Sequence, residues 1–278
     1  MTVVDQLVAL VRDTSSSLPE DVLAALRAAA RRERRGGSAA VVLKTVLANC
    51  ALAKRDFTPL CQDTGTLTFF VDERLRRRVT PAAIRRAVTK ATALGYLRKN
   101  CLDALSGFSH DDNCADGAPV VHYVDRPGVT LLMKGGGSEN MSRQYSLPDA
   151  SLGAGRDAEG VRRCVLDAVV RAQGYGCAPG ILGVAVGGDR AGGYEAAKEQ
   201  LLRPLGPRGD SADPTLRRLE RRLLKEANLL GVGPMGLGGG TTVLAVRLAE
   251  RPRVPASFFV TVAYMCWALR RRTVDISG

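Results

Sequence analysis

Short apolar runs alternate with segments of helical period along this chain, and that alternation constrains its fold more than any other feature. Residues 66–71, 120–124, 129–133, 181–186, 242–248 and 258–264 have the length and β-branched content of strands. Helical periodicity covers about 3–12, 20–35 and 38–54, and in the last of these Leu43, Val46, Leu47 and Cys50 share a face. A further helix is predicted from Thr80-Pro81, an N-cap and first-turn pair, to about Arg98, and others over about 159–172, 194–202 and 214–230. These patterns predict an α/β fold of mixed sheets flanked by helices. It is expected to form one domain over residues 1–278, with residues 1–55 as a helical N-terminal segment. The only linker-like stretch is 203–214, rich in Pro, Gly and Asp.

Composition removes several classes of function. No apolar run approaches the roughly 20 residues that a bilayer crossing needs, so no membrane span is expected. The first residues carry acidic Asp5 and no basic leader, which points to the cytoplasm. Seven cysteines without an export signal read as thiols rather than a disulfide framework, and the odd number agrees. The net charge of +12 could serve nucleic acid or an anionic substrate. Its basic runs at 31–35, 74–86, 217–225 and 270–272 alternate with Ala, Leu or acidic residues and read as solvated helix faces. Aromatic residues are 5% of the chain and are not interleaved with those runs, so a base-stacking platform is disfavoured and no nucleic-acid partner is expected.

Chemistry is expected in the loops between strands and helices. Four concentrate Gly with Cys, acidic or hydroxyl groups: Cys61-Gln62-Asp63-Thr64-Gly65-Thr66, Lys134-Gly135-Gly136-Gly137-Ser138, Gly176-Cys177-Ala178-Pro179-Gly180, and the glycine-rich 231–242. Glycine lets backbone amides approach a ligand closely, so 135–137 could present N–H donors to a carboxylate, although a tight turn has the same composition. The loop 236–242 lacks the Gly-Lys-Ser/Thr ending of a phosphate cradle. Read alone, Asp63 is the acid of an Asp-Thr-Gly turn, and Arg98 is a basic residue at a helix C-terminus.

Together these four blocks, in this order, resemble the class I fumarase and tartrate dehydratase family of iron-sulfur hydro-lyases, in its α-type half, from about residue 45 to 273. The resemblance implies that Cys61, Cys177 and Cys266 hold a 4Fe-4S cluster. Thiolates suit such clusters, and three ligands leave one iron open to substrate. It implies Asp63 as the catalytic base, with Gln62, Arg98 and Gly136 contacting a small dicarboxylate; Lys134 and Ser138 join them by proximity. A carboxylate base is also the better candidate because the chain has only two histidines, His110 and His122. Cys50 and Cys164 lie on helical faces and read as buried small hydrophobes, while the roles of Cys101 and Cys114 are open.

Three departures from the family pattern bear on substrate choice. Asp112-Asn113-Cys114-Ala115-Asp116-Gly117-Ala118-Pro119 stands where relatives carry more polar Thr and Asn, Gly240 stands where they carry Lys, and Val254 stands where they carry His. Single-chain relatives are about twice as long, so the resemblance also implies a separate β subunit and a heterotetramer of two such pairs. The competing expectation is a non-catalytic relative that keeps the fold, or the cluster, as a scaffold or sensor.

Overall fold

The computed structural model describes residues 1–276; the last two residues of the expected 1–278 domain lie outside them. In chain order the elements are α1 (Val3–Ser16), α2 (Glu20–Arg32), α3 (Ser38–Asp56), β1 (Thr66–Asp72), α4 (Pro81–Ala93), β2 (Cys101–Leu102), β3 (Ser109–His110), β4 (Val120–Val124), β5 (Val129–Lys134), α5 (Gly136–Asn140), β6 (Arg143–Ser146), α6 (Ala158–Ala172), β7 (Gly180–Gly187), α7 (Arg190–Gln200), α8 (Pro214–Leu229), β8 (Val243–Arg251), β9 (Phe259–Met265) and β10 (Arg270–Val274). The fold is mixed α/β with a helical N-terminus, as the patterns predict. The chain divides into two compact units, one of Met1–Pro19, Ala48–Gly136 and the described residues from Ala268, the other of Glu20–Leu47 and Gly137–Trp267.

The first unit is built on a sheet of order β10-β5-β1-β4, in which only β1 and β4 run parallel. Leu67, Phe69 and Val71 alternate onto one face with Val129, Leu131 and Met133, and α1 and α4 cover that face with Leu7, Leu10, Val11, Ile84, Ala87 and Val88. Helix α1 starts where it does because Thr2 and Asp5 form a reciprocal capping box. The Thr2 hydroxyl and then Lys90, 2.9 Å away on α4, hold the Asp5 carboxyl down to about 2. Helix α4 begins at the expected Thr80-Pro81 cap but stops at Ala93, five residues before its expected end, and Gly95 follows at φ +77°.

Register decides what lies at one end of this sheet. Thr66 pairs with Lys134, and Met133 with Arg270, so the start of β1, the end of β5 and the start of β10 converge. The loop carrying Cys61 and Asp63 enters at that point. Here the expectation for residues 270–272 fails: they form a strand, and Arg270 is buried rather than solvated, with its guanidinium donating to the Asp63 carbonyl at 2.8 Å. A charged run on a strand has period 2, and its inward residue is buried when a backbone acceptor waits for it.

The second unit has a sheet of order β6-β9-β7-β8, with β7 and β8 parallel. Leu182 and Val184 face a core built with α6 and α8. Gly183 points the other way, toward α7, so closely that a Cβ there would lie 2.1 Å from the Ala197 carbonyl oxygen. Cys164, on α6, is fully buried in this core. Burial first, and then the charges of Asp149 and Asp167, push its thiol up to about 12. A folded-state value above the unfolded one means that the neutral thiol stabilises fully below about pH 8.5, and that this contribution fades as pH rises toward 12. Replacing it, Cys164→Ala, is therefore expected to flatten the alkaline decline in the denaturation midpoint; an unchanged slope would show that other groups cause it.

Candidate active site

In the first unit the Cys61–Gly65 loop is fastened at every residue after the cysteine's neighbour. Cys61 is half-buried, and its sulfur accepts the Asp63 N–H at 3.4 Å. The Thr64 hydroxyl, itself buried, donates to the Arg98 carbonyl at 2.8 Å and accepts the Arg98 N–H at 3.1 Å. Gly65 has φ +76°, and a Cβ on it would lie 2.4 Å from the Lys134 carbonyl oxygen, so no other residue fits there. The loop and the end of β5 are thus in backbone contact, which accounts for glycine at position 65.

The Asp63 carboxylate is defined on both sides. Asn100 donates to its Oδ1 at 3.3 Å. Its Oδ2 lies against Gly135, where a Cβ would come within 2.6 Å. An alanine at 135 would meet only the end of a side chain, which can swing away, and Gly135 needs no positive φ. The substitution Gly135→Ala is therefore expected to displace the Asp63 carboxylate while leaving the melting temperature within a few degrees, since the atoms it meets belong to the movable end of a half-buried side chain. A turnover rate equal to that of the unaltered protein would mean that the carboxylate position is immaterial.

A cavity of about 200 Å³ opens beside this loop, lined by residues including Gly65, Thr66, Asn100, Cys101, Asn113 and Gly136. It falls below the roughly 300–1,000 Å³ of sites for drug-sized ligands, so only a small molecule would fit it. Ala118 and Pro119 also line it, so the segment that departs most from the family pattern borders the cavity itself. Gln62 and Arg98 are exposed and Lys134 is buried. Cys101 lines the cavity, whereas Cys114 turns to α4, with its sulfur 3.7 Å from the Thr89 hydroxyl and 3.6 Å from the Arg85 carbonyl oxygen. Burial raises the pKa of both thiols.

In the second unit the antiparallel pairing of β7 and β9 aligns Ile181 with Met265 and brings Cys177 and Cys266 to one end of the sheet. The Trp267 N–H meets the Cys177 carbonyl at 3.4 Å. Both thiols stand near the Tyr264 hydroxyl, whose pKa is raised by its burial and then by Cys266 and Cys177. The glycines flanking Cys177 are explained by that ring: a Cβ on Gly176 or Gly180 would lie 2.4 or 2.7 Å from Tyr264 ring atoms. Cys177 itself is exposed and left-handed, at φ 49° and ψ 57°. Such strain in a residue other than Gly or Asn is a feature of functional positions. Ser138 is buried, and its hydroxyl accepts the Cys266 N–H at 3.1 Å, so it fixes the backbone of that cysteine.

Two departures also lie in this unit. The Gly240 N–H donates to a Glu33 carboxylate oxygen at 3.0 Å. Val254 is exposed on the loop before β9, at the end of the sheet away from Cys177 and Cys266, where it borders a separate cavity of about 920 Å³ with Arg190, Arg251 and Arg253.

By residue type, thiolates are donors of the kind an iron-sulfur cluster takes. Cys61, Cys177 and Cys266 are not in disulfides, lie on loops and all reach solvent, whereas Cys50 and Cys164 are buried. Among the described residues no three Cys, His, Asp or Glu side chains gather around a single metal ion. Sequence reasoning missed Asn100, Asn113 and Arg270. Only the turn composition of Asp112-Asn113 hinted at one of them.

The first unit thus carries a carboxylate against glycine and a small cavity, and the second a pair of loop thiols, in a mixed α/β fold. The chain belongs to the fumarate hydratase (fumerase) family, a family of hydro-lyases, whose model matches residues 4–275. It is 44% identical, over 96% of its length, to a Geobacillus stearothermophilus protein assigned as a fumarate hydratase class I, and it spans 53% of that relative. It is 32% identical to a Methanocaldococcus jannaschii protein assigned as L(+)-tartrate dehydratase subunit alpha, covering 98% of this chain and 96% of the relative. It is 28% identical to the L(+)-tartrate dehydratase subunit alpha of Escherichia coli, covering 94% and 86%. Among the described residues no helix is long and apolar enough to cross a membrane.

Proposed function

We propose that this chain is the α subunit of a two-subunit 4Fe-4S hydro-lyase that reversibly adds water to, or removes it from, a small fumarate-like or tartrate-like dicarboxylate. The observation that carries this reading is the meeting of Cys177 and Cys266 at one end of the β7–β9 pair, in a chain whose residues 4–275 follow the family model. Cys61, Cys177 and Cys266 would hold the cluster, which when bound supplies a Lewis acid that stabilises charge on the departing oxygen. The other work falls to this chain's side chains. In dehydration Asp63 takes the proton from the carbon adjacent to the one losing hydroxide, and in hydration it returns it. Arg98 offers a planar two-donor fork to one carboxylate, with Gln62 and the Gly136 amide as further donors.

The shares covered support a partner: the chain spans about half of the Geobacillus relative but nearly all of two proteins assigned as alpha subunits. On this reading the assembly is a heterotetramer with a β subunit, and cysteines kept as thiols suit a cytoplasmic setting. The test is anaerobic reconstitution with iron, sulfide and the β chain, followed by assay on fumarate, malate, tartrate and related dicarboxylates. Hydration or dehydration of at least one is expected. Bound iron with no turnover across the panel would instead favour the scaffold or sensor.

A further inference from the structure

Asn113 is 4% exposed and stands at φ +60°, a conformation Asn tolerates better than most residues. Its carboxamide is fully used. Oδ1 accepts the Asn100 N–H at 2.7 Å, and Nδ2 donates to the Arg98 carbonyl at 3.0 Å and to the Thr92 hydroxyl at 3.0 Å. Thr92 is buried on α4 and is itself bonded to the Val88 carbonyl at 2.9 Å, so Asn113 ties the 98–100 segment to a helix. That short segment carries Arg98 at one end and Asn100 at the other, and the Asn100 side chain is the donor to Asp63 Oδ1.

We infer that Asn113 is a positioning residue for the hydro-lyase reaction: it holds Asn100, and through it the Asp63 carboxylate, in fixed relation to Arg98. The inference rests on the reading of Asp63 as the proton acceptor. Asn is the side chain that can accept one hydrogen bond while donating two and still adopt this backbone. An aspartate would turn a second acceptor toward the Arg98 carbonyl. Small displacements matter at such a distance, because misplacing a reacting group by about 1 Å can cost on the order of 100-fold in rate.

The test uses the reconstituted two-subunit enzyme with Asn113→Gly, which keeps the backbone freedom and removes the three bonds, and with Asn100→Ala, an exposed change. Each is made alone and together with Asp63→Asn. Asn113→Gly is expected to lower kcat by at least about tenfold, with iron and sulfide content unchanged, and Asn100→Ala to lower kcat with KM nearly constant. In the Asp63→Asn background neither should lower kcat further, since a group acting through Asp63 has nothing left to act on. An equal fractional loss in both backgrounds, or unaltered kcat in Asn100→Ala while Asp63→Asn is inactive, overturns the inference alone. Full turnover by Asp63→Asn removes the underlying reading and the inference with it. Should Asn113→Gly fail to fold, Asn100→Ala in the two backgrounds still decides.

Discussion

Serine at position 61, 177 or 266 is expected to leave anaerobically purified protein with almost no iron or sulfide, while serine at 50 or 164 leaves both in place and lowers stability instead. The contrast follows from position rather than residue type. Cys61, Cys177 and Cys266 are accessible and lie on loops bounded by glycine or at a strand end; Cys50 and Cys164 are buried on helices. A hydroxylate is a poor substitute for a soft thiolate ligand, so losing one corner should release the cluster. In a core the same substitution instead buries a hydroxyl, and where no acceptor is at hand this costs about 1–3 kcal/mol. Metal and sulfide assays with a melting curve on each variant separate the two groups, and Cys101→Ser and Cys114→Ser complete the series. Iron retained equally in all seven variants would end the three-thiolate reading. Cys177 offers a sharper version. Its left-handed backbone is unfavourable for a cysteine, so Cys177→Gly should change the stability of the metal-free chain by less than about 1 kcal/mol and still lose the iron.

The sequence reveals elements wherever a local rule decides. Thr80-Pro81 marks the start of α4 because capping is local, and the β-branched runs mark β1, β5, β7 and β9 to within a residue or two at their starts. Where partners lie far away in sequence, local rules fail. Strands β2, β3, β6 and β10 are short or charged, and each exists because a distant strand pairs with it or a turn folds it back. Arg270 is the plainest case: three consecutive arginines look solvated until the Asp63 carbonyl is set beside the first. Helix α7 begins at Arg190, before its expected start, because Asp189 caps it by accepting the Gly192 N–H, a signal hidden among the surrounding glycines. The glycine loops stand out in the sequence by composition, whereas Asp63 and the three cysteines among seven are singled out by the family resemblance, since read alone Asp63 is a turn residue. Asn100 and Asn113 stand out in neither way, because an asparagine in a loop acquires a role only from the groups that fill its donor and acceptor positions.

The second large effect is expected at Asp63. Asparagine there keeps the shape of the side chain and room beside Gly135 but cannot accept a proton from carbon, so kcat should fall by about 10²–10⁴-fold. KM should stay close to its original value, because the change removes an interaction made as the proton moves rather than one that binds the ground state. Iron and sulfide content should not change, since the Asp63 contribution to Cys61 comes from its backbone N–H. Exchange of the substrate's carbon-bound hydrogen with deuterated water gives an independent reading and should fall with kcat. The comparison with Gly135→Ala then distinguishes charge from place: one variant removes the base, and the other moves it. If exchange persists at the original rate in Asp63→Asn while dehydration stops, another group takes the proton and Asp63 serves only to bind or to shape its turn. If both processes stop and Gly135→Ala reproduces part of the loss with its iron intact, the carboxylate seated on that glycine is the base.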